Sequence, residues 1–135
     1  MNRTVERRLL QAATALACFL PLSMGAISVA SGPDVIRGVD APWPIDLDSH
    51  YRYLSGLLLG IGLTYLACLP TIERRGDIFR ALGAIILIGG LARLFSAVEL
   101  GWPGNGHRFG LVMELGVVPA ITFWQMRVAR LAQPS

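Results

Sequence analysis

Residues 78–100 read IFRALGAIILIGGLARLFSAVEL. Between Arg80 and Glu99 this run carries a single charge, Arg93. An apolar run of roughly 20 residues is what an α-helix needs to cross the hydrocarbon core of a bilayer. In that core every backbone group must bond internally, and a helix does this by itself. Three more runs of the same kind surround it, so the predicted spans are 9–30, 53–69, 78–100 and 109–126, with an outer loop over 31–50. The whole chain has 135 residues, 53% hydrophobic and 16% charged, with a mean hydropathy of +0.54. Soluble domains usually hold about 25% charged residues. Four spans use about 80 residues, which leaves no room for a soluble catalytic domain. A water-soluble enzyme and a secreted disulfide scaffold are excluded. The expected fold is all-α, an antiparallel four-helix transmembrane bundle forming a single integral membrane domain.

Charge sets the expected orientation. All 12 cationic residues are Arg, a usage that reads as coding bias of a GC-rich genome. Arg3, Arg7 and Arg8 precede the first span, Arg74, Arg75 and Arg80 lie between the second and third, and Arg127 and Arg130 follow the fourth. The alternate loops hold only Arg37, Arg52 and Arg108, beside Asp34, Asp40, Asp46 and Asp48. The positive-inside rule then puts both termini in the cytoplasm. Trp43 and Trp102 fall at the outer interface and Trp124 at the inner one. The expected location is a bacterial inner membrane. The net charge of +3 is small and dispersed, so no nucleic-acid partner is expected. Arg residues before the first span and Ser28-Val29-Ala30 near its end also outline a signal peptide. Its apolar stretch of about 22 residues exceeds the usual 7–15, so it reads as a retained helix.

Lipid supplies no hydrophobic drive between helices, so small residues mark the expected contacts. Gly56 and Gly60 form a GxxxG pair in the second span, on a stripe with Tyr53, Thr64 and Ala67. In the third span Gly89, Gly90, Ser96 and Ala97 share one side. Leu87, Ile88, Leu91, Phe95 and Val98 share the other and are expected to face lipid. Kinks are expected at Pro21 and Pro119.

Arg93 and Glu114 stand out, because a charge near a helix centre costs about 2.5–3.5 kcal/mol on insertion scales. Counted from the outer ends of their spans, they lie about 11 and 9 Å deep at 1.5 Å per residue. The short GWPGNGHR connection makes the two spans neighbours, so an Arg93–Glu114 ion pair is predicted. More polar groups sit at that level: His50, Arg52 and Tyr53 open the second span, Ser96 and Glu99 end the third, and His107 opens the fourth, two turns from Glu114. Two readings follow. The groups form a structural network that fixes register, or they line a periplasmic pocket. In the pocket Arg93 and Arg52 would hold an anionic or carbonyl-bearing headgroup, with Glu114 orienting it. No metal or cofactor is expected. The Asp46, Asp48 and His50 spacing is weak, both His residues lie at span ends, and Cys18 and Cys68 form no CxxC pair.

The runs HYRYLSGLLLGIGL, IERR, IGGLARLFSAVELGWP and ELGVVP together resemble the domain-of-unknown-function 4345 family. These are small bacterial four-span proteins laid out like the wider DoxX-like group. The resemblance runs from about Glu6 to Arg130. Its marked positions are Arg52, then Gly89, Gly90 and Arg93, then Gly101 and Pro103, and finally Glu114. It implies a fold and a set of polar positions but supplies no reaction, although some DoxX-like relatives are associated with membrane redox chemistry. The leading expectation is therefore a non-enzymatic membrane protein with a small-ligand or lipid-headgroup pocket. Its expected partners are membrane lipid and either another membrane protein or a second copy of itself. The alternatives are an accessory subunit of a larger respiratory or transport complex, and a quinone-linked oxidoreductase.

Overall fold

A computed structural model describes residues 2–132. The elements are α1 (Arg3–Ser31), a 3-10 turn (Gly32–Val35), α2 (Ile45–Cys68), a second 3-10 turn (Leu69–Arg74), α3 (Gly76–Leu100), α4 (Asn105–Val112) and α5 (Val118–Ala132). A π-helical turn, Met113–Val117, joins α4 to α5 without a break. The described residues are all-α and contain no strand. Four helical stretches, Arg3–Val35, Ile45–Arg74, Gly76–Leu100 and Asn105–Ala132, are long and apolar enough to cross a membrane. Much of their apolar surface has no protein cover. Leu16, Phe19, Phe95, Val98 and Phe123 are each at least 67% exposed. Apolar patches of this extent need lipid or a partner to leave water.

The helices outrun the apolar segments. The expected loop over 31–50 narrows to residues 36–44, because the backbone stays helical through Val35 and resumes at Ile45. Hydropathy marks where a helix can meet lipid, not where its hydrogen bonds end. Asp46 and Asp48 in the first turn of α2 also suit the positive end of a helix dipole.

The chain divides into two compact units, one of residues 18–67 and one of residues up to Ala17 together with those from Cys68 onward. Residues 18–67 pair the later part of α1 with most of α2, meeting at glycines. A Cβ on Gly25 would lie 2.9 Å from the Leu59 backbone nitrogen, and one on Gly62 would lie 3.1 Å from Leu22. Both carbons would be too close for ordinary contact, so glycine lets the backbones approach. The GxxxG pair does not serve here. Gly56 and Gly60 have nothing within 4 Å of a Cβ position, contrary to the expectation from sequence. The reason is rotational: α2 buries Ser55, Gly62 and Tyr65, and each residue step turns the helix by about 100°. Gly56 is thereby carried off the packed stripe.

In the other unit α3 packs mainly on α5 and the π turn. Its buried stripe is Phe79, Gly83, Gly90 and Ala97, spaced by four and seven residues as one helical face requires. A Cβ on Gly83 would meet Thr122 Oγ1 at 2.7 Å, and one on Gly90 would meet Glu114 Cβ and Leu115 Cδ2 at 2.8 Å. Numbers rise along α3 as they fall along its partner. Gly89 and Ser96, expected on this face, are exposed, and Gly89 has open space around it. The bulky side is exposed as expected: Leu87, Ile88, Leu91, Phe95 and Val98 run from 37% to 74%. Pro21 sits inside a continuous α1. Pro119 has no N–H and cannot bond the Leu115 carbonyl. The ladder widens just before it, where the Val118 N–H reaches back five residues to Met113 O. Such π turns recur where helices carry functional groups, and this one contains Glu114.

Candidate functional site

Arg93 lies on α3, one turn beyond Gly90. Its Nε donates to Glu114 Oε2 and its Nη2 to Glu114 Oε1, both at 3.0 Å. The pair is bidentate, the geometry in which Arg and a carboxylate fit best. Nη1 lies 2.7 Å from His107 Nδ1. A guanidinium can only donate, so Nδ1 accepts and the ring proton sits on Nε2. The predicted Arg93–Glu114 ion pair is present, with His107 as a third member.

Two glycines shape this arrangement. Gly101 has φ +99°, a conformation that side chains rarely adopt, and its N–H closes α3 onto Ala97 O. The chain can then re-enter a helix at Asn105, which brings His107 back beside Arg93. Gly110 lies between His107 and Glu114 on α4. A Cβ there would sit 3.8 Å from Arg93 Cζ, so the guanidinium lies next to a residue without a side chain. Sequence reading placed His107 two turns from Glu114 but missed Gly110 between them, the residue beside which Arg93 lies.

Of the five guanidinium N–H groups, three have partners. The other two, one on each Nη nitrogen, have none among the described residues. Arg93 faces a cleft of about 240 Å³ that is also lined by Ser96, Ala97, Gly101, Pro103 and His107. The Arg93 side chain is 36% exposed and that of Glu114 20%. Formal charge is therefore balanced, while part of the hydrogen-bonding capacity of the cation remains unused. Glu99, also placed at this level from sequence, is exposed and does not line the cleft.

The remaining candidates lie in residues 18–67. Arg52 Nε bonds both carboxylate oxygens of Asp48, at 3.1 and 2.9 Å. Its Nη1 donates to Val29 O and to Ala30 O. These are carbonyls of the last turn of α1, which have no partner within their own helix. A cation at this negative end also opposes the helix dipole. Gly32, at φ +63°, completes the cap, since a Cβ there would strike the Asp48–Arg52 pair. Arg52, expected as a ligand residue, is thus engaged in capping α1. Tyr53 is 64% exposed. The ring that joins this hairpin is that of Tyr51, whose hydroxyl lies 3.2 Å from Ser28 Oγ. His50 is exposed.

A second polar cluster surrounds the turn between α2 and α3, which sequence reading treated only as a basic loop. Three carbonyls at this helix end receive side-chain donors: Leu69 O from Gln11, Pro70 O from Arg7 and Ile72 O from Gln125. Glu6 is 3% exposed and is paired with Arg127 at 2.8 Å. Arg7 Nε and Glu73 Oε2 touch at 2.9 Å without an aligned hydrogen bond. The legible signal was Gln11 and Gln125 in apolar runs, and acids within basic segments.

No curated protein and no solved structure matches the chain significantly. The model of the family described as "Domain of unknown function (DUF4345)" matches residues 9–125. That stretch includes Arg52, Arg93, His107 and Glu114 and covers most of the chain, so the protein belongs to the DUF4345 family.

Proposed function

We propose that this is a multi-pass protein of a bacterial inner membrane with a DoxX-like layout, four antiparallel spans and both termini in the cytoplasm. In the periplasmic half, the Arg93 cleft binds a small anionic ligand or lipid headgroup. The observation that carries this reading is the pair of N–H groups, without a partner among the described residues, on a partly exposed arginine that Glu114 and His107 hold in place. Glu114 cancels the formal charge, so recognition rests on hydrogen bonds to anionic oxygen, which are about twice as strong as neutral ones. Ser96 adds a hydroxyl to the same cleft. The test is native mass spectrometry of protein extracted with its own lipid. Wild type is expected to retain an anionic species that Arg93→Gln loses; identical spectra would defeat the reading.

A second reading is an accessory subunit of a larger membrane complex. The uncovered Gly56 and Gly60 favour it, because small residues let helices of different chains pack closely. It calls for a stoichiometric partner after mild extraction that is lost in Gly56→Leu.

A further inference from the structure

The cluster beside the α2–α3 turn borders a cavity of about 300 Å³ lined by Arg3, Thr4, Glu6, Arg7, Glu73, Val128, Leu131 and Ala132. Ligand pockets run from about 300 to 1,000 Å³, so this one suits a headgroup rather than a large cofactor. Its charged lining holds two guanidinium groups and two carboxylates, of which Glu6 is buried and already paired with Arg127. An anion alone would still meet the Glu73 carboxylate, and a cation alone both arginines. A zwitterion can satisfy both signs. The lining also has unused capacity. Arg3 has no hydrogen-bond or ion-pair partner among the described residues. Arg7 Nε and Glu73 Oε2 are buried against each other at 2.9 Å, but Arg7 Nη1 and Glu73 Oε1 have no hydrogen-bond partner among the described residues. One wall is apolar, formed by Val128, Leu131 and Ala132, with Leu131 41% exposed.

We infer that this cavity binds a phospholipid whose headgroup is phosphoethanolamine. The phosphate oxygens lie on Arg3 and Arg7, the primary ammonium donates to the Glu73 carboxylate, and an acyl chain leaves along Val128 and Leu131. Phosphate suits the arginines because a guanidinium offers several N–H groups in one plane. A primary ammonium has three N–H donors, whereas the trimethylated choline headgroup has none and phosphatidylglycerol brings no cation. The inference rests on the reading of the four helices as membrane spans, but not on the Arg93 cleft. With the proposed orientation the site lies in the cytoplasmic leaflet.

The test is native mass spectrometry of the full chain in detergent, titrated separately with phosphatidylethanolamine, phosphatidylcholine and phosphatidylglycerol of the same acyl chains. Soluble glycerophosphoethanolamine is added as competitor. Phosphatidylethanolamine is expected to be retained about tenfold better than the other two, the effect of one charge-assisted hydrogen bond. Arg3→Gln and Glu73→Gln are expected to abolish the preference, and Arg93→Gln to leave it intact. Arg3→Gln decides the matter if Glu73→Gln fails to fold, because Arg3 takes no part in the contacts around the turn. Equal retention of the three lipids would overturn the inference. So would a preference that survives Arg3→Gln, or one lost in Arg93→Gln. Competition by glycerophosphoethanolamine at the lipid's own concentration would overturn the lipid as occupant.

Discussion

Gly89 and Gly90 are neighbours on α3 with opposite surroundings, and replacing each by Ala isolates one energy. Ala is favoured over Gly in a helix interior by about 0.8–1.0 kcal/mol, and this gain is common to both variants. A Cβ on Gly89 meets nothing within 4 Å, so Gly89→Ala keeps the whole gain. A Cβ on Gly90 would stand 2.8 Å from both Glu114 Cβ and Leu115 Cδ2. Carbon atoms prefer about 3.5–4.0 Å, so each contact is short by at least about 0.7 Å. Leu115 can swing its methyl group aside. Glu114 Cβ cannot, because it is fixed to the π turn and its carboxylate is held by Arg93. Overpacking of this kind costs about 1–3 kcal/mol. Gly89→Ala is therefore expected to stabilise by about 1 kcal/mol. Gly90→Ala is expected to fall about 1–3 kcal/mol below it and to loosen the Arg93–Glu114 pair. Reversible unfolding in mixed micelles measures both. Equal stabilities within about 0.5 kcal/mol, the usual scatter of surface substitutions, would refute the packing described for α3 on the π turn.

Other outcomes follow from the same geometry. Arg52→Met removes the donors to Val29 and Ala30 and leaves Asp48 without its cation; it should cost about 2 kcal/mol in the same unfolding assay, and no loss would remove the capping role. Gly110→Ala should be tolerated, whereas Gly110→Leu should displace the Arg93 guanidinium and abolish ligand retention by mass spectrometry. Equal retention by the two variants would contradict the seat assigned to Gly110. In a background lacking Cys18 and Cys68, a cysteine at position 40 should react with an impermeant maleimide on intact cells and one at position 74 only after lysis. The reverse pattern would invert the proposed orientation.

The sequence made the helices legible because lipid imposes one coarse requirement, an apolar run of the right length, and four such runs are plain. Arg93 and Glu114 were legible for the converse reason, since a charge in such a run is costly and calls for a partner. Rotation about the helix axes was less accessible. Gly56 and Gly60 look like a packing motif, yet Gly25 and Gly62 make the close approach, and period alone does not say which stripe meets a neighbour. The role of Arg52 was hidden because its partners are backbone carbonyls, which no residue type announces. The π turn at Met113–Val117 was equally silent; only Pro119 hinted that the ladder could not pass unchanged. Arg7, Gln11 and Gln125 were visible as polar residues, but the turn they hold looked like an ordinary basic loop.

The central claim is that Arg93 keeps hydrogen-bonding capacity for an anionic ligand. Side-chain nitrogen NMR reads this directly, because the twelve cations are all arginines and a single isotope label covers them. In purified protein titrated with a short-chain anionic phospholipid, the Arg93 resonance, assigned by its loss in Arg93→Gln, should shift saturably while that of Arg52 stays in place. An Arg93 signal that never moves, or one that drifts with all the exposed arginines without saturating, would contradict the claim.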